Sequence, residues 1–159
     1  MQFKYESSKG YYRLVGADTL IPFKADPTYL LKLGSLTSGV TSSPFSNNPE
    51  NLVNNSTANK ISGYTSTSNG YLGTIYSKSI DLSKYDTIEV VACSLSGVPL
   101  YLALCTSNSA YSSIYSIRQG VTYIDVSSLT GTIQIGIIGY VVWNGTSSVS
   151  ASIDEVRLT

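Results

Sequence analysis

The sequence predicts an all-β protein, an antiparallel β-sandwich with a short N-terminal β extension and a long irregular loop. No window of about eleven residues or more keeps a hydrophobic period near 3.6 residues, which argues against amphipathic helices. Short runs rich in Val, Ile, Tyr and Thr recur instead, separated by Gly, Asn, Ser and Pro. From residue 71 onward these runs recur about every 8 to 12 residues, the spacing typical of a sandwich or barrel.

Nine segments are candidate strands. They cover residues 11–15, 19–23, 71–80, 87–95, 99–106, 113–117, 121–126, 132–142 and 148–158. Apolar and polar residues alternate in several of them, so that Ile133, Ile135 and Ile137 face one side and Gln134 faces the other. The alternation predicts one buried face for each of these strands.

The last strand and the turn before it carry two further signals. The alternation breaks between Ile153 and Val156, which predicts a β-bulge near Asp154 and Glu155, because one extra residue reverses the faces of all later side chains. An Asn-Gly pair at 144–145 is a hairpin signal and predicts a type I′ turn that joins two antiparallel paired strands.

Composition divides the chain into three parts. Residues 1–36 are too few to fold alone, and we expect a docking or oligomerisation segment whose second candidate strand contains Pro22 and lies at a sheet edge. Residues 37–70 predict an irregular connection that packs on the sandwich, because 25 of these 34 residues are Ser, Thr, Asn, Gly or Pro. Residues 71–159 form the sandwich itself.

The charge content excludes several classes of partner. Ten basic and ten acidic residues leave no formal net charge, and no run of like charges suggests nucleic-acid binding or a membrane anchor. Hydroxyl and amide side chains and 13 tyrosines are plentiful, as in secreted, virion-surface or sugar-binding proteins. No signal-peptide core and no apolar run of about 18 residues is present, so we expect a soluble protein, made in the cytoplasm without export and without membrane insertion.

The residues favour a protein that is not an enzyme. The chain has no histidine, which excludes Ser-His and Cys-His pairs, and it has no phosphate-binding, dinucleotide-binding or zinc motif. The candidate carboxylate pairs for glycoside hydrolysis include Asp81 with Asp125 and Asp154 with Glu155. Asp81 and Asp125 are each followed two residues later by a serine, in the related phrases IDLSKYDTI and IDVSSLTGT. That pattern favours side-chain-capped turns over catalysis.

Metal and thiol chemistry have few candidates. Asp154 and Glu155 predict a solvated strand face or a bulge, with a structural calcium site completed by backbone carbonyls as the alternative. No other cofactor is expected. Cys93 and Cys105 lie in apolar β-like runs, where a cysteine is usually a small buried hydrophobe, so free thiols are favoured over one bridge.

Four aromatic residues are candidates for sugar binding. Tyr111, Tyr115, Tyr140 and Trp143 lie in or beside predicted strands, where a flat ring on a β surface could stack on a sugar ring. The alternative for each is packing in the core or against a neighbouring strand, since aromatic residues are ordinary strand formers.

Three stretches of the sandwich resemble one family. They read YSKSIDLSKYDTIEVVA, YIDVSSLTGTIQIGI and SVSASIDEVRL. Together they resemble the jelly-roll domains, similar to galactose-binding-like and carbohydrate-binding modules, of tail-associated proteins in phages and prophages of Gram-positive gut bacteria. The segment YYRLVGADTLIPF is similar to an N-terminal segment of such phage proteins. The resemblance implies a jelly-roll topology for the sandwich.

The same resemblance implies a function. It implies a noncatalytic structural protein of the virion tail or baseplate, which acts in assembly or host attachment and is located in the virion. Its partners would be other virion tail proteins and copies of itself, with a trimer as one form. The alternative is a carbohydrate-binding or adhesion module that recognises a bacterial cell-surface glycan, with an exposed aromatic residue near Trp143.

Overall fold

The computed structural model describes residues 27–159 in full and the backbone of three short strands before them. These are β1 (Gln2–Glu6), β2 (Tyr11–Val15) and β3 (Pro22–Lys24), which form an antiparallel sheet of their own in the order β1-β2-β3. The edge position predicted from Pro22 is confirmed, since β3 pairs with β2 alone in this sheet. The start of the predicted strand 19–23 lies outside the described residues.

The first of two larger sheets is the six-stranded sheet. Across the sheet its strands are β13 (Tyr111–Ile117), β12 (Leu100–Cys105), β15 (Thr132–Val141), β9 (Gly70–Tyr76) and β6 (Ser42–Ser46), and β10 (Ile80–Asp81) also pairs with β15. All neighbouring strands are antiparallel. The strands β9, β12, β13 and β15 lie close to the predicted bounds.

The second is the seven-stranded sheet. Its main path runs through β14 (Gly120–Asp125), β11 (Thr87–Ser96), β16 (Ser148–Leu158), β4 (Thr28–Lys32) and β5 (Ser35–Leu36), and β8 (Lys60–Thr65) and β7 (Leu52–Asn54) extend it. The long strand β16 pairs with β8 through its first half and with β4 through its last residues. A short 3₁₀ helix at Leu82–Lys84 follows β10, and no helix in the described part of the chain is long and apolar enough to cross a membrane.

The order of pairing is that of a jelly roll. Along the chain, β12 pairs with β13, β11 with β14, β9 with β15 and β8 with β16, so that each pair encloses the one before it. Successive pairs alternate between the two sheets, which wraps the chain around a common core. The predicted antiparallel β-sandwich with jelly-roll topology is therefore confirmed.

The main core fills the space between the two sheets. Its buried members include Ile61, Leu72, Tyr76, Ile88, Val90, Leu100, Leu102, Leu104, Ile135, Ile137, Val149, Ala151, Ile153, Val156 and Leu158. They recur at every second position of their strands, as the alternation predicts. Side chains at the intervening positions therefore point to the outer faces of the sandwich.

The β-bulge predicted in the last strand is confirmed. Val91 lies opposite Glu155 and Ala92 lies opposite Ile153, which leaves Asp154 as the extra residue. The carbonyl oxygen of Asp154 accepts a hydrogen bond of 2.9 Å from the backbone N–H of Gly34. The extra residue lets Ile153 and Val156 both face the main core.

The structure differs from the prediction over residues 37–70, which contain strands β6, β7 and β8. Each strand is short, and one apolar residue in each is buried: Phe45, Leu52 and Ile61, at 0%, 6% and 0% exposure. Neighbouring strands supply the backbone hydrogen bonds, so a single buried apolar residue is enough to hold each of these strands in place. The sandwich also begins before residue 37, because β4 and β5 belong to the seven-stranded sheet. The docking role predicted for residues 1–36 stays a prediction.

The turn before the last strand does not join two paired strands. Strand β15 lies between β12 and β9 in one sheet, while β16 lies in the other sheet beside β11, so the predicted pairing of the last two strands is wrong. Asn144 takes the positive φ of 62°, whereas Gly145 does not, so the turn is not type I′. Both flanking strands already have partners on each side, and the turn therefore carries the chain from one sheet to the other.

Candidate functional site

The two aspartates of the related phrases make the same local turn. The Asp81 Oδ1 atom accepts hydrogen bonds from the backbone N–H of Ser83 (3.1 Å) and from its hydroxyl (2.6 Å). Asp125 Oδ1 does the same with Ser127, at 2.9 and 2.6 Å. The serine hydroxyl is the main reason why the pKa of each carboxyl is lowered. The predicted capping role is confirmed, and each carboxylate is tied to its own exposed turn.

The residues predicted for calcium lie on the bulge of β16. Glu155 Oε1 is 3.4 Å from Arg157 Nε, so the guanidinium of Arg157 already lies beside this carboxylate. In the part of the chain that the structure describes, no three acidic, histidine or cysteine side chains lie together as a metal site. Calcium binding by Asp154 and Glu155 stays a prediction.

Both cysteines are free thiols, as predicted. Cys93 is exposed and Cys105 is buried. Burial raises the pKa of the Cys105 thiol to about 12, so this side chain stays neutral and behaves as a small apolar group.

A second apolar cluster lies on the outer face of the six-stranded sheet. Its members are Phe45, Ile75, Ala103, Cys105 and Ile138, each buried to 1% exposure or less. They occupy the positions between the residues that face the main core, so they point away from it. We call this group the outer cluster. An outer face of this kind must be covered by other side chains, because these residues are fully shielded from water.

Tyrosine rings cover the outer cluster. Tyr71 lies at the centre, with ring centroids 5.9 Å from Tyr101, 5.4 Å from Tyr111 and 4.6 Å from Tyr140. The Tyr111 ring also lies 6.3 Å from Phe45. All four tyrosines are half-buried. Tyr71, Tyr101 and Tyr111 pack on the outer cluster, and Tyr140 joins them through its contact with Tyr71. We call this group of four rings the tyrosine surface.

The connection between β12 and β13 helps to cover the same face. Strands β13 and β6 lie at opposite edges of the six-stranded sheet. Even so, the carbonyl oxygen of Asn108 accepts a 3.0 Å hydrogen bond from the backbone N–H of Ser46 in β6. Residues 106–110 therefore cross the outer face, and Tyr111 follows them into position beside Phe45 and Tyr71.

The structure brings together two of the four predicted sugar-binding residues. Tyr111 and Tyr140 belong to the tyrosine surface. Trp143 lies in the turn after β15 with 46% exposure, and its backbone N–H donates a 2.7 Å hydrogen bond to Oδ1 of Asn69, two residues before Tyr71. Tyr115 is separate from them, because it packs against the main core.

Sequence reasoning missed two residues of the tyrosine surface, Tyr71 and Tyr101. The available signal was alternation, since each tyrosine is next to a leucine that faces the main core, Leu72 and Leu100. Alternation places such a tyrosine on the outer face. It does not show which strands lie beside it.

The five longer strands of the six-stranded sheet carry no charged residue. Their sequences are SSPFS, GYLGTIY, LYLALC, YSSIYSI and TIQIGIIGYV. The seven-stranded sheet differs, since Glu89 and Arg157 face each other on neighbouring strands with Nη2 and Oε2 2.6 Å apart. The polar side-chain groups that these strands contribute to the tyrosine surface are therefore hydroxyls and amides.

Burial raises the pKa of Tyr71, the central residue of the tyrosine surface. Desolvation raises the pKa of Tyr71 from its ordinary 10.0 to about 12, and a hydrogen bond with Tyr111 adds to the shift. A raised pKa in the folded state adds stability that is fully present below pH 10 and is lost as pH rises toward 12. Burial also raises the pKa of Tyr76, in the main core.

We therefore expect the free energy of unfolding to fall between pH 10 and 12, and Tyr71→Phe to make this fall shallower. Urea unfolding at pH 9.5 and 11.5 measures both slopes. Tyr123→Phe is the matched control, because Tyr123 is 68% exposed. Equal slopes for Tyr71→Phe and the wild type would contradict the burial of this hydroxyl.

Comparison with known proteins finds similarity in structure but not in sequence. No protein-family model matches the chain, and no curated protein matches its sequence. Among solved structures, the chain is similar to a low-affinity xylan-binding module, CBM86, from the xylanolytic gut symbiont Roseburia intestinalis. The two share 12% sequence identity over 75% of this chain and 95% of that one, with a TM-score of 0.47.

Proposed function

We propose that this protein is a noncatalytic module that binds a neutral polysaccharide on the tyrosine surface. The observation that carries the proposal is a group of four tyrosine rings on a sheet whose longer strands carry no charge. An anionic ligand would find no cation in these strands. A neutral, hydroxyl-rich ligand needs none.

The chemistry of a sugar ring suits this surface. One face of a pyranose ring presents C–H groups, which pack on an aromatic ring, while its hydroxyls lie around the edge. Tyrosine offers a rigid apolar ring and a polar hydroxyl at low cost in conformational entropy. Because the rings already hold one another by edge and tilted contacts, little further ordering is needed when a ligand binds.

Tyr71→Ala is expected to weaken polysaccharide binding at least tenfold, because it removes the central ring of the surface. Tyr140→Ala should weaken binding as well, and it tests the same surface away from its centre. Affinity electrophoresis against xylan, mixed-linkage glucan, glucomannan and galactan identifies the ligand class, and calorimetry then gives the affinities. Thermal melting of each variant checks that the fold is intact.

The matched control is Tyr123→Ala, which removes an exposed tyrosine from the seven-stranded sheet and should leave binding unchanged. Trp143→Ala tests whether the exposed indole beside the tyrosine surface takes part. Equal binding by Tyr71→Ala, Tyr140→Ala and the wild type would overturn the proposal. Affinity that falls steeply between 0.05 and 0.5 M salt would point to a charged ligand and would also contradict it.

The role in a virion tail or baseplate has no described feature in its favour and stays a prediction. The same holds for self-association, a trimer, binding to other tail proteins and location in the virion. In a virion tail or baseplate protein, glycan binding by the tyrosine surface would serve attachment to the host.

A further inference from the structure

A groove of about 390 Å³ opens at the edge of the six-stranded sheet beside β6. Its apolar side is formed by Pro44, Pro49 and Leu52, and its polar side by Asn54, Asn108 and Ser109. We call it the β6 groove. Its volume lies within the range of pockets that hold small organic ligands.

Hydrogen bonds fix the two walls of the β6 groove. The bond from Ser46 N–H to the Asn108 carbonyl joins residues 106–110 to the edge strand. The side-chain amide of Asn54 donates to the carbonyl oxygens of Phe45 and Gly73, both at 2.7 Å. Because groups of the protein itself make these contacts, binding in the groove would require little ordering of the protein.

Hydrogen bonds from backbone and side-chain amides also fix the apolar side of the groove. The backbone N–H of Leu52 donates to the Asn48 carbonyl at 3.1 Å, which closes the turn that contains Pro49. The side-chain amide of Asn48 donates to the Ser68 hydroxyl at 2.8 Å. The apolar side of the groove is therefore held by a rigid turn.

The lining of the β6 groove suits a sugar residue. Two prolines and a leucine offer an apolar side for the C–H face of a ring, and none of the seven lining residues, which also include Ser46, is charged. The side-chain amide of Asn108 has no hydrogen-bond partner among the described residues, so its donor and acceptor are available to ligand hydroxyls. A neutral ligand with an apolar face and a hydroxyl edge fits both sides.

The groove lies next to the Tyr111 end of the tyrosine surface. Its lining residues Asn108 and Ser109 come three and two residues before Tyr111, whose ring contacts Tyr71. We propose that the β6 groove is an additional sugar subsite at the Tyr111 end of the tyrosine surface, so that one neutral oligosaccharide occupies both. This inference rests on the proposed function and adds that longer chains bind more tightly than short ones.

Two variants of the full-length protein test the subsite. Asn108→Ala removes the free amide and should weaken hexaose binding about three- to tenfold, the loss expected for one or two neutral hydrogen bonds. Ser109→Trp fills the groove and should abolish the gain in affinity from triose to hexaose. Calorimetry with cello-, xylo- and manno-oligosaccharides of three and six units measures both effects, and thermal melting confirms folding.

Asn55→Ala is the matched control, since Asn55 is exposed in the connection between β7 and β8 and does not line the groove. Unchanged hexaose affinity in both groove variants overturns the subsite, and so does an equal loss for triose and hexaose. Hexaose binding that is lost in Tyr71→Ala but keeps its full wild-type affinity in Ser109→Trp overturns the subsite alone. Absence of any hexaose binding to the wild type overturns the proposed function together with it.

Discussion

Replacing Gly73 by alanine is expected to lower the free energy of unfolding by about 3 kcal/mol or more, the upper end of what overpacking costs. A Cβ atom at this position would lie 2.0 Å from the carbonyl oxygen of Ile137 and 2.8 Å from the Cα atom of Ile138. Both atoms belong to the backbone of β15, so a side-chain rotation cannot relieve the contact. The clash would push apart two central strands of the six-stranded sheet.

Thermal melting measures this effect, and a loss of that size lowers the midpoint by about 6 to 12 °C in a domain of this length. Gly145→Ala is the matched control. Its Cβ would meet only the Val142 side chain, at 3.2 Å for the nearest atom. We expect a change within about 1 kcal/mol there, partly offset by the lower entropy of the unfolded chain. Equal melting of Gly73→Ala and the wild type would contradict the close approach of β9 and β15.

Replacing Arg157 by methionine is expected to cost roughly 2–3 kcal/mol of stability, somewhat less than for a fully buried ion pair because Arg157 remains partly exposed. Glu89 is buried, with 8% of its side chain exposed, and its Oε2 lies 2.6 Å from Arg157 Nη2. The side-chain hydrogen bond with Glu89 is the main reason why the pKa of Arg157 is raised. Without the Arg157 guanidinium, the buried carboxylate of Glu89 is left with an uncompensated charge, which destabilises the fold.

The double variant Glu89→Met with Arg157→Met separates charge from packing. It should recover most of the lost stability, because no uncompensated charge remains. Glu155→Gln is the milder control and should cost less than about 1 kcal/mol, since its contact with Arg157 is longer, at 3.4 Å. Urea unfolding of the wild type, Glu89→Met, Arg157→Met and the double variant closes a double-mutant cycle and gives the coupling energy. If the double variant is as unstable as Arg157→Met, packing and not charge explains the loss.

The parts of this protein that follow local rules could be predicted from its sequence. Alternation of apolar residues with period two identified most strands from residue 71 onward, and the break in that alternation located the bulge at Asp154. The turns at Asp81 and Asp125 depend on a serine two residues away, so the spacing alone was enough. The jelly-roll order of the strands came from resemblance to a family and not from these patterns.

The errors have one cause in common. Strands β6, β7 and β8 each bury one apolar residue, so their sequences carry too few apolar positions to show a period. Although β7 pairs with the adjacent β8, β6 pairs with β9 and β8 pairs with β16 near the end of the chain. The turn at 144–145 has the composition of a hairpin, but the strands on both sides of it already have two neighbours each. Local sequence does not contain that information.

The β class, the faces of the longer strands, the bulge and the two aspartate-serine turns all follow from the amino-acid sequence, because they depend on side-chain alternation and on contacts between residues one or two positions apart. The grouping of Tyr71, Tyr101, Tyr111 and Tyr140 into one surface follows only from the fold. These rings come from four strands that become neighbours when the chain wraps into the sandwich, and their contacts span tens of residues.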